Sequence, residues 1–222
     1  MIGKYKNILK NRHDAKDRLI DIIPIQKFKE ESWRLVALSS GGLKLASLIN
    51  SRYHNEMDFL FSEGILAPNN LECELARVSE LEEMVINEDL MRSFDIKYDF
   101  IYGEANRKYE EKILANIYKY RKGRAFFEVK DEVVLLVDDG CETGLKFMTA
   151  LKTILLQKPK AVYIAVPVLP SDVLELLEAY VDDIYYIYNI DDYVDTQQYY
   201  EEFEVIKNEE IEKLLEGNSC EI

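Results

Sequence analysis

Five apolar residues, Val133–Val137, run directly into two adjacent carboxylates, Asp138 and Asp139. A short loop follows, Gly140-Cys141-Glu142-Thr143-Gly144, and a helical pattern begins at Leu145. An unbroken apolar run of strand length belongs to a strand covered on both faces, as in a parallel sheet. Parallel strands need long crossover connections, usually helices. Open sheets of that kind bind ligands beyond the carboxyl ends of their strands. A turn that opens a helix presents backbone N–H groups and the positive end of the helix dipole to an anion. Two carboxylates beside such a cradle suit a phosphorylated sugar, the loop taking the phosphate and the acids the hydroxyls.

The rest of the chain alternates in the same way. A helix is expected over residues 13–22, with Asp14 and Asp17 early in it, and a core strand over 34–38 that ends at Ser39-Ser40-Gly41-Gly42. A helix over 43–52 and a strand over 57–61 follow. The interval 62–103 is the least regular. It holds the turn sequence Ala67-Pro68-Asn69-Asn70 and strand-like pieces at 75–78 and 84–86. A charged helix over 104–121 should stop near Gly123, where glycine ends helices. After the central strand come a helix over 145–156, a break at Pro159, a strand over 161–166 and a helix over 171–180 with Ser171 as N-cap. A strand over 184–188 and a last short helix over 209–215 complete the pattern. Such alternation predicts an α/β fold, a central, mostly parallel sheet flanked by helices. The 222 residues suit a single domain over 1–222 with a small appended subdomain.

Composition narrows the function. Hydrophobic residues make up 48% of the chain, enough for a full core. The net charge of −14 argues against a nucleic-acid surface, which needs clustered Lys and Arg. No secretory signal is read, and no apolar run is long enough to span a bilayer, so no membrane partner is expected. Cys73, Cys141 and Cys220 lack metal-ligand spacing and read as free thiols of a reducing cytoplasm. A helix N-terminus would lower the Cys141 pKa, but no histidine partner is visible and the residue reads as a small loop position. His13 and His54 stand alone and support no zinc site.

The segment from Val133 to Gly144 resembles the PRPP-binding motif of type I phosphoribosyltransferases. Asp138 and Asp139 match the acidic pair, and Thr143-Gly144 matches the Thr-Gly. A subgroup of those proteins is also similar at Arg12-His13-Asp14-Ala15, at Ala165-Val166-Pro167-Val168 and at Gln198-Tyr199-Tyr200-Glu201-Glu202-Phe203. The likeness therefore covers roughly residues 12–205.

The resemblance implies the type I phosphoribosyltransferase-like fold with a small hood. It also implies transfer of ribose 5-phosphate from PRPP to a nitrogen nucleophile, a nucleobase above all, with release of pyrophosphate. Asp138 and Asp139 would hold the ribose hydroxyls. Gly140, Cys141, Thr143, Gly144 and Lys146 would form the 5′-phosphate loop, and Ser39, Ser40, Gly41 and Gly42 the pyrophosphate loop. Glu142 stands where purine-type relatives place a proton acceptor for the base. Tyr193 or Tyr199 would stack on it, and a cover from residues 62–80 would exclude water. The cofactor would be Mg²⁺, carried mainly by the substrate, with no protein metal site. The partners would be PRPP and a small-molecule acceptor, in a cytoplasmic protein for which a homodimer stays open.

Three places in the chain depart from the subgroup. Ser40 replaces an Arg, Ser62-Glu63 replaces an Arg-Lys pair after the second strand, and Lys146 replaces a hydroxyl residue. The first two remove positive charge from the pyrophosphate's expected place. Lys146 either restores a cation near the 5′-phosphate or faces solvent. These departures keep two alternatives open: a non-catalytic PRPP or nucleotide sensor on the same fold, and a partner-binding α/β protein.

Overall fold

The computed structural model describes residues 9–216. The chain opens with α1 (Arg12–Ile22) and α2 (Ile25–Glu30), then β1 (Arg34–Ala37), α3 (Ser40–Asn50) and β2 (Met57–Phe59). Next come β3 (Ser62–Ala67), β4 (Asn70–Ser79) and β5 (Met84–Ile86), then α4 (Glu88–Ser93), α5 (Tyr98–Lys108) and α6 (Leu114–Arg121). The rest is β6 (Val133–Val137), α7 (Leu145–Leu155), β7 (Ala161–Pro170), α8 (Ser171–Glu178), β8 (Asp183–Ile190) and α9 (Asn208–Glu216).

Two sheets divide these strands. A parallel five-stranded sheet runs β2-β1-β6-β7-β8, and an antiparallel three-stranded sheet runs β3-β4-β5. The strand expected to be central is central, and every residue of Val133–Val137 is buried. It pairs with β1 on one side (Leu35↔Leu135) and β7 on the other (Leu135↔Tyr163), so neither edge faces water. Its side chains alternate between two cores: Val133, Leu135 and Val137 pack with α1 and α3, while Val134 and Leu136 pack with α7 and α8. This is a mixed α/β fold, a parallel central sheet flanked by helices with a small antiparallel sheet beside it.

The small sheet is the hood. Its core of Phe61, Ile65, Leu75, Ala76 and Met91 closes against Ile101, Ala105 and Ile113 of the long helical stretch. A buried charge cluster fastens it to the main sheet. Arg121, at the end of α6, pairs with Asp58 of β2 at 3.4 Å and with Glu80 just past β4. Glu80 also accepts from Phe61 N at 2.9 Å, and Arg124 reaches Asp58 at 3.3 Å. Burial holds the Glu80 carboxyl above its usual range, against the pull of Arg121.

At the opposite end of β1, Trp33 is fully buried and stacked on Tyr163 with ring centroids 4.4 Å apart.

Several expectations from sequence are corrected in detail. The residues expected as a Ser-Ser-Gly-Gly loop are the first turn of α3, with Ser39 as its N-cap: Ser39 Oγ accepts from Gly42 N at 2.9 Å. Ser171 is not an N-cap. Strand β7 continues through Pro170, paired with Ile190, so Ser171 is already helical and its hydroxyl donates to Asp191 at 2.7 Å. The helix expected from 104 starts at Tyr98 and carries one π turn, Tyr109–Ile113. It ends on a left-handed pair, Lys122 (φ 53°) and Gly123 (φ 82°). The irregular interval is a β3–β4 hairpin plus β5. Cys220 lies outside the described residues, and Cys73 and Cys141 are free thiols.

Candidate active site

The carboxyl ends of β1 and β6 meet under the hood and open into a cleft of about 490 Å³. The parallel register puts Ala37 beside Val137, so Ser39 and the acidic pair emerge side by side. Ser39 Oγ donates to Asp138 Oδ1, and Asp139 N donates to the same oxygen at 2.9 Å. Lys146, in the first turn of α7, places Nζ 2.7 Å from Asp138 Oδ2.

Asp139 turns the other way. Arg12, at the start of α1, donates to its Oδ2 from Nε at 3.0 Å and from Nη2 at 2.7 Å. Tyr200 OH donates to the Asp139 carbonyl at 2.7 Å. Burial and the adjacent Asp138 push the Asp139 carboxyl up to about 6, with Arg12 acting in the opposite direction. For Lys146, burial works against the charge, but the Asp138 carboxylate outweighs it and its pKa stands raised.

Two glycines make this arrangement sterically possible. A Cβ on Gly41 would lie 1.9 Å from Asp139 Oδ2. Gly144, the N-cap of α7, adopts φ 76°, a left-handed conformation that other residues rarely take. It opens α7 at the rim of the cleft, and the first N–H groups of a helix have no partner within the helix, which suits an anion.

The sequence-predicted site residues line this cleft: Asp138, Asp139, the whole loop from Gly140 to Gly144, Lys146, and Ser39, Ser40 and Gly41. Gly42 lies beneath it as the donor to the Ser39 cap. Glu142 and Thr143 are exposed there. Glu142 Oε1 faces Thr196 Oγ1 at 3.3 Å, and Tyr193 OH meets the same hydroxyl at 2.9 Å.

Two expectations change. The Cys141 thiol is buried, and burial raises its pKa to about 12, outweighing the lowering expected of a helix N-terminus. Tyr199 is 2% exposed and packed at 4.8 Å against Tyr193, so its ring offers no open face for stacking on a base.

The cleft residues that sequence reasoning misses include Arg12, Thr196 and Arg77 of the hood. Arg12 had a signal, since it opens the Arg-x-Asp-Ala start already noted. The other two had none, because only the tertiary fold brings β4 and the segment after β8 over the loop.

No family model matches the chain. Two curated proteins from strains of Mycobacterium tuberculosis, each named "Putative phosphoribosyl transferase", are 22% identical to it over 150 residues, 68% of this chain and 34% of theirs. The chain thus spans about a third (34%) of the length of those relatives. Among solved structures, the protein TT1426 from Thermus thermophilus has a TM-score of 0.74 at 26% identity, covering 93% of this chain and 97% of that one. A purine phosphoribosyltransferase from Pyrococcus horikoshii has a TM-score of 0.48 at 15% identity, covering 92% and 99%.

Proposed function

We propose that this chain, similar in sequence to proteins named as phosphoribosyl transferases, transfers ribose 5-phosphate from PRPP to a small nitrogen nucleophile such as a nucleobase. One observation carries the reading: a buried acidic pair stands at the end of the central strand, between a helix-opening amide loop and the serine cap of a second helix.

In this reading the loop from Gly140 to Gly144 grips the 5′-phosphate through backbone N–H groups and the Thr143 hydroxyl. Asp138 and Asp139 receive the ribose 2′- and 3′-hydroxyls. The bond from the anomeric carbon to the pyrophosphate oxygen breaks, and a bond from the acceptor nitrogen forms. The transition state is oxocarbenium-like, and the two carboxylates add negative charge beside it. Glu142, exposed in the cleft, takes the proton released by the acceptor nitrogen.

The acidic pair also suits a hard cation that arrives with the substrate. Asp138 and Asp139 would hold Mg²⁺ through hydroxyls and water, as this ion prefers. Bound there, it would neutralise pyrophosphate charge.

A second reading, a PRPP or nucleotide sensor, is favoured by the internal pairing of both acids with Lys146 and Arg12. One experiment separates the two. A thermal-shift titration with PRPP and Mg²⁺ should raise apparent stability by mass action, and the Asp138→Asn/Asp139→Asn variant should lose the rise. Pyrophosphate release across a panel of nucleobases then marks the enzyme. A shift with no release marks the sensor. No shift at millimolar PRPP removes both and leaves a partner-binding protein.

A further inference from the structure

In the proposed reading two backbone segments of the cleft hold phosphates, and the one at Ser39–Gly41 carries no basic residue of its own. The basic side chains that line the cleft are Arg12, Lys146 and Arg77. Arg12 is occupied at every nitrogen: Nε and Nη2 hold Asp139, and Nη1 donates to Glu204 O at 2.8 Å. Lys146 is committed to Asp138. Arg77 is different. Its Nε donates to Glu74 Oε1 at 2.7 Å and its Nη1 to Ser62 Oγ at 3.1 Å, but Nη2 has no hydrogen bond among the described residues.

The setting of Arg77 is built. Gly64 lies opposite it in the hairpin register, and a Cβ there would come within 2.6 Å of Glu74 Oε1 and 3.4 Å of Arg77 Nη2. A side chain at 64 would push the Glu74 carboxylate from its place beside Arg77. The backbone at Arg77 is docked on α7, where Thr149 Oγ1 donates to Arg77 O at 3.5 Å, a turn beyond Lys146. The guanidinium rests on Ser62, where Nη1 donates to Oγ at 3.1 Å and to the backbone carbonyl at 3.3 Å.

We propose that Arg77 is the residue that binds the pyrophosphate arm of the substrate, swinging from Glu74 to the departing phosphates. The inference rests on the phosphoribosyl reading of the cleft and assigns its missing cation. Arginine's planar fork suits this task, since it can meet two phosphate oxygens at once. Glu74 acts as the resting partner, holding the guanidinium over the cleft until a stronger anion arrives.

The test uses two halves of the substrate as separate probes, magnesium pyrophosphate and ribose 5-phosphate, with affinities read by calorimetry. Arg77→Gln should weaken pyrophosphate by about tenfold or more, the scale of one lost charge-assisted contact, and leave ribose 5-phosphate within about twofold. Glu74→Gln should strengthen pyrophosphate binding, an effect that a merely structural ion pair would not produce. Arg77→Lys, which keeps the charge and loses the fork, should fall between. Unchanged pyrophosphate affinity in Arg77→Gln, with ribose 5-phosphate still bound, would overturn the assignment and leave the phosphoribosyl reading intact. Equal loss of both probes would also overturn it, showing that Arg77 only supports the hood. A native chain that binds neither probe would overturn both readings.

Discussion

Arg12 and Asp139, 127 positions apart in sequence, share a fork in which two guanidinium nitrogens converge on a single carboxylate oxygen, at 3.0 and 2.7 Å. The guanidinium also lies 4.4 Å from the Phe203 ring centroid and holds the Glu204 carbonyl. One side chain thus ties the first helix, the acidic pair and the segment after β8 into a single wall of the cleft.

Removing that side chain leaves a buried carboxylate without its cation. Arg12→Ala should therefore lose about 3–5 kcal/mol of stability, the usual cost of breaking a buried pair on one side. Urea denaturation gives the figure directly. A loss below about 1 kcal/mol, the value of a surface pair, would show that Asp139 finds other solvation.

The raised carboxyl of Asp139 sets a pH window. It binds its proton more tightly in the folded chain, at about 6, than its ordinary value of 3.8 would allow. Stability from this group is therefore greatest in acid. It should fall by about 3 kcal/mol as pH rises from about 4 to about 6, and then level off. Subtracting the melting curve of Asp139→Asn from that of the native chain isolates the effect. A difference that stays flat between about pH 4 and 7 would contradict the linkage.

Gly41 is the steric condition of the same pair. In Gly41→Ala the new methyl, 1.9 Å from Asp139 Oδ2, must push the carboxylate and Arg12 aside. Overpacking of this kind costs about 1–3 kcal/mol. The PRPP-dependent thermal shift should disappear along with it, whereas a variant that keeps the shift would show that the acids can move without losing the ligand.

The hood has its own sensitive point. Arg121→Met leaves Glu80 buried with no cation while Asp58 keeps Arg124. The expected loss is about 3–5 kcal/mol at neutral pH. Glu80 is already held above its usual range by burial, and losing Arg121 raises it further. The folded variant then takes up a proton more readily, so its deficit should shrink between about pH 8 and about pH 5. Chemical denaturation at the two pH values checks this, and an equal deficit at both would mean that Glu80 stays ionised.

The parts of the fold legible in sequence were those with strong local signals. The bounds of Val133–Val137 and of Met84–Ile86 agree with the observed strands, because an unbroken apolar run and a short β-branched piece each have one good solution. The acidic pair and its loop were legible because their chemistry is contiguous. Ser171 has the sequence of an N-cap but is already helical, because β7 stays paired with β8 as far as Pro170, a tertiary effect that no cap rule contains. The hood lacks a clear alternating pattern because its strands pair with each other across a turn, with register shifts around Leu66. Arg77 and Thr196 were invisible for the same reason: their neighbours in the cleft lie far off in sequence.

The Trp33–Tyr163 stack gives the molecule an optical property. Trp33 is the only tryptophan in the chain, and it sits at the amino end of β1 while the cleft opens at the carboxyl end. Its emission should stay constant as ligands fill the cleft and change when the sheet comes apart. Fluorescence is thus an unfolding gauge insensitive to occupancy, and a ligand titration that shifts the melting point without altering the native spectrum is the signature to expect.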